Sequence, residues 1–305
     1  MFFGTPAWAV PSLEALLGAP GVEVAAVVTN PDRPAGRGME LRPSPVKQRA
    51  LEAGIEVWQP DRASAPDLAR ALAAAAPEVC VVVAYGRILP SALLELPPKG
   101  FVNLHFSLLP RWRGAAPVQR AIIAGDEVTG VSVMVLTEGL DEGPVLATEE
   151  VDIAPEDTAG SLGERLAEAG AALLLKTLPA YVAGELTPVE QDHSQATYAP
   201  KLTTEEARID WSLPARRIRD LVRGLNPAPG AWTTLRGQRL KIFEVIEDKG
   251  APPLAPGELR LAGGLVAGTG DAPVVIVDAQ LATKRRLAGP ELARGLRVIE
   301  GERLV

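Results

Sequence analysis

The feature that most constrains the fold is an alternation in the first 150 residues, where short apolar runs are separated by stretches with helical spacing. Val22 to Thr29, Ile55 to Trp58, Val79 to Ala84 and Phe101 to Phe106 are predicted strands. Between them, Pro11 to Leu17, Ser44 to Ala53 and Ala65 to Ala76 are predicted helices. Ser44 followed by Pro45 marks one helix start, with a hydroxyl at the N-cap and proline at the first helical position. Strands alternating with helices of this length imply a parallel sheet with helices on both faces. Thr129 to Leu136 and Val145 to Val151 add strands, and Thr158 to Val182 adds a long helix with Leu162, Leu166, Ala169 and Leu173 on its apolar side. The expected fold is α/β, a Rossmann-like, mostly parallel sheet.

The pattern changes after Gly184. Residues 187–204 are polar, lack a clear period and read as a linker. After a short helix, Ala215 to Leu225, come short strands punctuated by glycine and proline: Ala231 to Leu235, Leu240 to Val245, Gly264 to Ala267 and Val274 to Val277. That pattern predicts a small, OB-like β-barrel. The expected organisation is a catalytic domain at 1–186, a linker at 187–204 and the barrel at 205–305. Charge follows the same division. Residues 201–305 hold 17 basic and 13 acidic side chains, the first 200 hold 14 and 25, and the whole chain carries a net −7. The asymmetry suggests that the C-terminal part meets a polyanion while the N-terminal part does something else.

Several chemistries are excluded. The single cysteine, Cys80, cannot form an internal disulfide or a zinc cluster; it reads as a small core residue in a reducing cytosol. Two histidines, His105 and His193, cannot build a histidine-rich metal site, so no metal is expected, and His193 in the polar linker reads as solvated. No apolar run approaches the roughly 20 residues of a membrane span, and Met1 to Pro6 has no signal-peptide character. A cytoplasmic protein is expected, with no membrane partner. Without heptads or an obvious pairing edge, a monomer is expected. Gly4-Thr5-Pro6 lacks the spaced glycines of a dinucleotide fingerprint, and Gly36-Arg37-Gly38 lacks the ending of a P-loop.

The informative segment is Asn103-Leu104-His105-Phe106-Ser107-Leu108-Leu109-Pro110-Arg111-Trp112-Arg113-Gly114. Asn103 and His105, two apart near a strand end, project from one face, with Val102, Leu104 and Phe106 on the other. Ligands of open α/β sheets bind beyond the carboxyl ends of strands, so an amide and an imidazole would enter the site together. An isolated Asn-x-His also occurs where a polar strand end caps its own backbone. Asp141, between Gly139 and Gly143, is either a plain turn residue or the carboxylate that holds an imidazole.

Along nearly its whole length the chain resembles methionyl-tRNA formyltransferases. The resemblance rests on Gly4-Thr5-Pro6, the run Pro31 to Gly38, Pro43-Ser44-Pro45-Val46-Lys47 and Val83-Ala84-Tyr85-Gly86. It continues through Asn103 to Arg120, Gly139-Leu140-Asp141, Thr197 to Leu202, Arg208-Ile209-Asp210-Trp211 and Leu225-Asn226-Pro227. Asn-x-His with a downstream Asp marks folate-dependent formyltransferases in general, and the Ser-Leu-Leu-Pro-Arg-Trp-Arg-Gly-Ala-Ala-Pro run is much more specific.

The resemblance implies Asn103, His105 and Asp141 as catalytic group, 10-formyltetrahydrofolate as co-substrate and initiator methionyl-tRNA as acceptor. An amine attacking the formyl carbon generates an oxyanion, for which Asn103 and a protonated His105 are donors, with Asp141 orienting His105. It further implies a reduced-folate pocket at Arg87, Ile88, Leu89, Ser107, Leu108, Leu109 and Pro110. Arg33, Arg37 and Arg42 lie in a basic loop suited to phosphate, and Arg37 occupies the arginine of the family's Ala-Gly-Arg-Gly core. Lys201, Arg216, Arg217, Arg219 and Arg223 are further candidate phosphate contacts. Sugar-nucleotide N-formyltransferases share the Asn-His-Asp set and are the competing reading, but the basic loop and the Thr197 to Leu202 block favour tRNA. A non-catalytic RNA binder is disfavoured by the intact set. The chain departs from the family pattern in a short first strand, in Glu142 where threonine is usual, and in Ala228 where tryptophan is common.

Overall fold

The computed structural model describes residues 1–35, 40–262 and 264–305. In chain order its elements begin β1 (Phe2–Gly4), α1 (Val10–Gly18), β2 (Val27–Val28), β3 (Arg33–Ala35), β4 (Glu40–Arg42), α2 (Pro45–Glu52) and β5 (Val57–Trp58). There follow α3 (Pro66–Ala75), β6 (Cys80–Val83), α4 (Ser91–Leu94), β7 (Phe101–His105), β8 (Arg113–Gly114), α5 (Pro117–Ala124), β9 (Val128–Val135) and β10 (Val145–Asp152). Then come α6 (Ala159–Val182), β11 (Tyr198–Ala199), α7 (Ala215–Gly224), β12 (Ala231–Leu235) and β13 (Gln238–Glu247). The chain ends with β14 (Leu259–Leu261), β15 (Leu265–Ala267), β16 (Val274–Leu281), β17 (Leu287–Ala288) and α8 (Gly289–Leu296).

These elements form two compact units that interleave in sequence. One comprises Met1–Pro117, Val128–Asp152 and Gly163–Ala199; the other comprises Val118–Glu127, Ile153–Leu162 and Pro200–Val305. The expected division into 1–186, 187–204 and 205–305 is instead continuous in sequence. The interleaving has a physical origin in α7. Its Gly224 lies against Ile123, its Arg217 donates to the Ala124 carbonyl, and its Arg223 donates to the carbonyls of Ala154 and Asp157. Two short segments of the earlier chain are thereby claimed by the later unit.

In the first unit, seven strands lie in the order β10-β9-β7-β6-β1-β2-β5. The five from β7 to β5 run parallel, and β9 and β10 are antiparallel additions at one edge. Phe3, Val28, Val82 and Phe101 share a face and pack against Leu68 and Leu72 of α3 and Leu93 of α4. The opposite face meets α6, where a Cβ on Gly170 would stand 2.6 Å from Leu104 and one on Gly163 would stand 2.1 Å from Trp8. A mid-helix glycine costs roughly 0.5–1 kcal/mol relative to alanine, and these two let large side chains lie directly on the helix backbone. Helices therefore cover both faces, as the apolar pattern predicts.

Local signals hold where they are chemical. The Ser44 hydroxyl accepts the Lys47 N–H at 3.1 Å and caps α2. Strand lengths are less faithful: Val22 to Thr29 contributes only Val27–Val28 to the ladder, because β1 and β5 offer partners at just those two positions. α4, α5 and α8 lie where no element is predicted, and the arginine-rich segment expected as a loop carries the β3–β4 hairpin.

The second unit is built on an antiparallel sheet in the order β12-β13-β16-β15-β14, with β17 on β16. Alternate residues (Ala231, Thr233 and Leu235 of β12; Leu240 and Ile242 of β13) are buried, and Ile218 and Val222 of α7 and Leu292 of α8 join that core. The chain end closes the sheet. Leu304 bridges Leu235 beside β12, while Arg303 bridges Glu258 beside β14. Hydrogen bonds from Val305 N–H to Thr234 at 3.0 Å and from Leu304 N–H to Gly257 at 2.8 Å fix that closure. A small barrel results, its two open edges joined by one short tail.

Candidate active site

Because β6 and β7 are neighbouring parallel strands, the loops following Val83 and His105 leave the same end of the sheet. That end is where parallel sheets hold ligands. Along β7, Phe101, Asn103 and His105 share one face and Val102 and Leu104 the other, by the period of two. Asn103 is 8 % exposed, and among the described residues nothing takes up its amide.

His105 is held from two sides. Its Nε2 lies 2.7 Å from the Trp112 carbonyl, which can only accept, so Nε2 carries a proton. Its Nδ1 faces Asp141 Oδ2 at 3.9 Å, an ion-pair distance beyond a hydrogen bond. The same Oδ2 accepts the Gly114 backbone N–H at 2.8 Å. Asp141 (φ 51°) and Trp112 (φ 44°) both adopt the left-handed backbone region. Side chains seldom tolerate it, at roughly 1–3 kcal/mol each, and it persists where the surroundings over-determine the turn.

The loop between them is braced as well. Ser107 is fully buried, and its hydroxyl donates to the Trp112 carbonyl at 3.2 Å. Ser132 of β9 donates to the Ser107 carbonyl at 2.7 Å and accepts the Leu109 N–H at 3.1 Å. Leu108 rests on the backbone of Gly130, where a Cβ would stand 2.5 Å from it. A second layer supports Asp141. Arg113, 1 % exposed, donates from Nε at 3.0 Å and from Nη2 at 2.8 Å to Gln191 Oε1. Gln191 Nε2 in turn donates to the carbonyls of Asp141 at 3.0 Å and Gly143 at 2.7 Å. His193, expected to be idle, faces the Arg113 guanidinium at 3.3 Å through Nδ1. Sequence reasoning assigns nothing to Ser132 or Gln191 and no separate role to Arg113. A buried arginine reads like an exposed one, and Gln191 falls in a stretch without periodicity.

The remaining candidates divide. Arg87 donates to the Pro60 carbonyl at 2.9 Å, and with Ile88 it borders a cavity of about 360 Å3 completed by residues 61–64 and Pro90. Ile88 is 82 % exposed, so its side chain is no part of the core. The Leu89 side chain is buried in the cluster that holds Phe3, Leu93 and Phe101. Arg33 and Arg42 stand directly opposite each other on β3 and β4, both exposed and, among the described residues, without an ion-pair partner. Arg37 lies outside the described residues.

In the second unit, Lys201, Arg216 and Arg217 are exposed. Arg223 is engaged within its own unit. Its Nε donates to the buried Asp220 carboxylate at 3.0 Å and its Nη1 to the Ala154 carbonyl at 3.1 Å. Arg219 is likewise paired, with Glu247 at 2.9 Å and Asp220 at 3.4 Å. Among the described residues no group of three or more His, Cys, Asp or Glu could hold a metal ion, and no helix is long and apolar enough to cross a membrane.

Comparison with known proteins places this geometry. The family described as "Formyl transferase" matches residues 1–178, and "Formyl transferase, C-terminal domain" matches residues 201–297. The chain is 50% identical over 305 residues to a methionyl-tRNA formyltransferase of Streptomyces coelicolor, covering 100% of this chain and 98% of the relative. It is 48% identical over 304 residues to one of Thermobifida fusca, covering 99% and 98%. Among solved structures, the N-formyltransferase of Helicobacter canadensis, crystallised with folinic acid and dTDP-3-aminofucose, superposes with TM-score 0.68 at 17% identity over 90% of this chain and 97% of that one. HypX of Aquifex aeolicus with tetrahydrofolic acid superposes with TM-score 0.61 at 20% identity over 80% and 43%. At such identities these two establish the fold alone.

Proposed function

The chain belongs to the methionyl-tRNA formyltransferase family, and we propose that it transfers the formyl group of 10-formyltetrahydrofolate to the α-amino group of methionine on initiator tRNA, with Asn103, His105 and Asp141 as its catalytic group. The observation that carries this reading is the fixed imidazole at the end of β7, set between the Trp112 carbonyl and Asp141, beside an Asn103 amide with no other occupation.

Formyl transfer asks three things of a protein: stabilise negative charge on the formyl oxygen, take a proton from the attacking amine, and return one to the departing N10 nitrogen. The Asn103 amide and a protonated His105 supply donors for the oxygen, and one well-placed donor of that kind contributes about 3 kcal/mol to barrier lowering. An imidazole both accepts and donates a proton, so His105 is the group that can pass one from the amine toward N10. For that work it exchanges the Trp112 carbonyl for substrate, while Asp141 keeps the ring in register.

The folate substrate is assigned to the braced loop Ser107 to Pro110 and to the cavity bordered by Arg87 and Ile88, with the backbone of Leu89. Exposed backbone groups next to apolar side chains suit a flat ring with many donors and acceptors. The tRNA is assigned to Arg33, Arg37 and Arg42, and to Lys201, Arg216 and Arg217 of the barrel unit. Support comes from the hairpin itself: like charges directly opposite across a strand pair destabilise it, and a bound phosphate offsets that cost. A lone, buried cysteine suits a reducing compartment, and we place the activity in the cytoplasm.

The test is direct. The purified protein is incubated with 10-formyltetrahydrofolate and methionine-charged initiator tRNA, and formyl-methionine is measured after deacylation, with uncharged tRNA and His105→Ala as controls. Formylation that requires the charged tRNA and is lost in the variant is the expected result. Transfer to an amino-sugar nucleotide but not to the charged tRNA would overturn the acceptor assignment.

A further inference from the structure

Arg113 and Gln191 form a buried pair outside the Asn-His-Asp group. The Arg113 guanidinium is 1 % exposed and, among the described residues, meets no carboxylate. Burying a charge without an opposite charge is costly, and a fold that needed only packing there would be better served by an apolar side chain. The guanidinium instead gives its two shorter hydrogen bonds, at 3.0 and 2.8 Å, to Gln191 Oε1 and faces His193 Nδ1 at 3.3 Å.

This decides which way the Gln191 amide points. With Oε1 against Arg113, the Nε2 group faces the carbonyls of Asp141 and Gly143 and donates to both. A flipped amide would set its NH2 against the guanidinium donors and its oxygen against two carbonyls, losing all four hydrogen bonds. The two clamped carbonyls are that of the left-handed residue Asp141 itself, whose Oδ2 faces His105, and that of Gly143 two residues on.

We propose that Gln191 is a positioning residue for formyl transfer, fixing the Asp141 turn through its two carbonyls, and that Arg113 sets the polarity of that clamp. The inference rests on the assignment of Asp141 above. Gln191 acts through Asp141 and does not touch the reacting atoms. The clamp comes from the polar stretch 187–204, so this segment serves the site and does more than span between two domains.

Gln191→Glu is the decisive variant, because it keeps the size and the pairing with Arg113 but loses both donors to the carbonyls. Steady-state and single-turnover formylation are measured for wild type, Gln191→Glu, Asp141→Asn and the double variant, alongside thermal unfolding. Expected is a fall of about tenfold to a hundredfold in kcat for Gln191→Glu, the cost of a misplacement near 1 Å, with KM for both substrates within about twofold. In the Asp141→Asn background the same change has no further effect, since there is no carboxylate left to position. A Gln191→Glu enzyme with wild-type kcat, or one that loses the same factor in both backgrounds, overturns the proposal; the second outcome marks a role in folding alone. Arg113→Lys, which keeps the charge but not the paired donors, gives an independent arm if Gln191→Glu does not fold, and is expected to fail in the same non-additive way. Failure of the functional reading is separately visible, because the wild type would then form no formyl-methionine.

Discussion

Oδ2 of Asp141 accepts the Gly114 backbone N–H at 2.8 Å and stands 3.9 Å from Nδ1 of His105. The carboxylate is thus anchored by the main chain and presented to the imidazole, so its orientation does not depend on the state of the ring. Asp141→Asn preserves this anchor, since an amide oxygen can still accept from Gly114, but removes the charge. Formyl transfer is expected to fall about a hundredfold to ten-thousandfold, the range for disabling an acid–base group, with an unchanged thermal midpoint. Formylation kinetics and calorimetry on the variant check this; activity within a few-fold of wild type would refute the role.

Arginines assigned to tRNA contact and arginines engaged in the fold are distinguished by salt dependence. Arg33→Ala and Arg42→Ala are each expected to weaken tRNA binding and reduce the slope of log affinity against log salt by about 1, leaving thermal stability unchanged. Arg223→Ala should do the reverse, because its donors serve Asp220 and two carbonyls. It should lower the unfolding free energy by roughly 1–3 kcal/mol, the cost of losing the shortest of the charged hydrogen bonds to a buried carboxylate that keeps Arg219 and Arg216, with the salt slope unchanged. Filter binding across a salt series, paired with urea unfolding, distinguishes the two classes.

Gly130 couples stability to the loop proposed to hold the folate. A Cβ at this position would stand 2.1 Å from the Glu149 carbonyl and 2.5 Å from Leu108. Gly130→Ala is therefore expected to cost roughly 1–3 kcal/mol by overpacking and, by displacing Leu108, to raise KM for the folate substrate more than KM for tRNA. Equal changes in both constants would argue against Leu108 as a folate contact.

Cys80 sets a limit on alkaline stability. Desolvation by burial pushes its thiol up to about 12. A raised value means the folded state favours the protonated thiol, so this contribution is complete below the ordinary thiol range and is lost as pH climbs from there toward 12. Relative to Cys80→Ala, the wild type should lose about 1.4 kcal/mol per pH unit above roughly 9. Urea titrations at pH 7 to 10 measure this, and native Cys80 should resist alkylation at pH 8 while the unfolded chain reacts.

Much of the site is legible in the primary sequence because the information is local. Asn103 and His105 share a face simply because they are two apart on a strand, and the loop beyond them leaves the ligand-binding end of a parallel sheet. Asp141 is legible only through resemblance, because 36 residues separate it from His105 and nothing in a turn sequence says which side chain it will meet. Ser132, Arg113 and Gln191 escape for the same reason, each acting through a hydrogen bond to a group far away in sequence. Arg223 misleads in the opposite direction, since a basic helix offers no sign of which cation turns inward.

Apart from α4, α5, α8 and the β3–β4 pair, local sequence signals carry most of the main strands and helices, the two-faced sheet, the barrel pattern of the C-terminal part and the identity of the chemical groups. These follow from the spacing of apolar residues and from short-range capping, which act within a few residues. Only the tertiary structure decided which distant residues brace Asp141, which arginines remain exposed, and that segments 118–127 and 153–162 join the later unit. Those outcomes depend on long-range packing and on the pairing of buried polar groups, where the partner of each donor is fixed by the assembled fold and not by its neighbours in the chain.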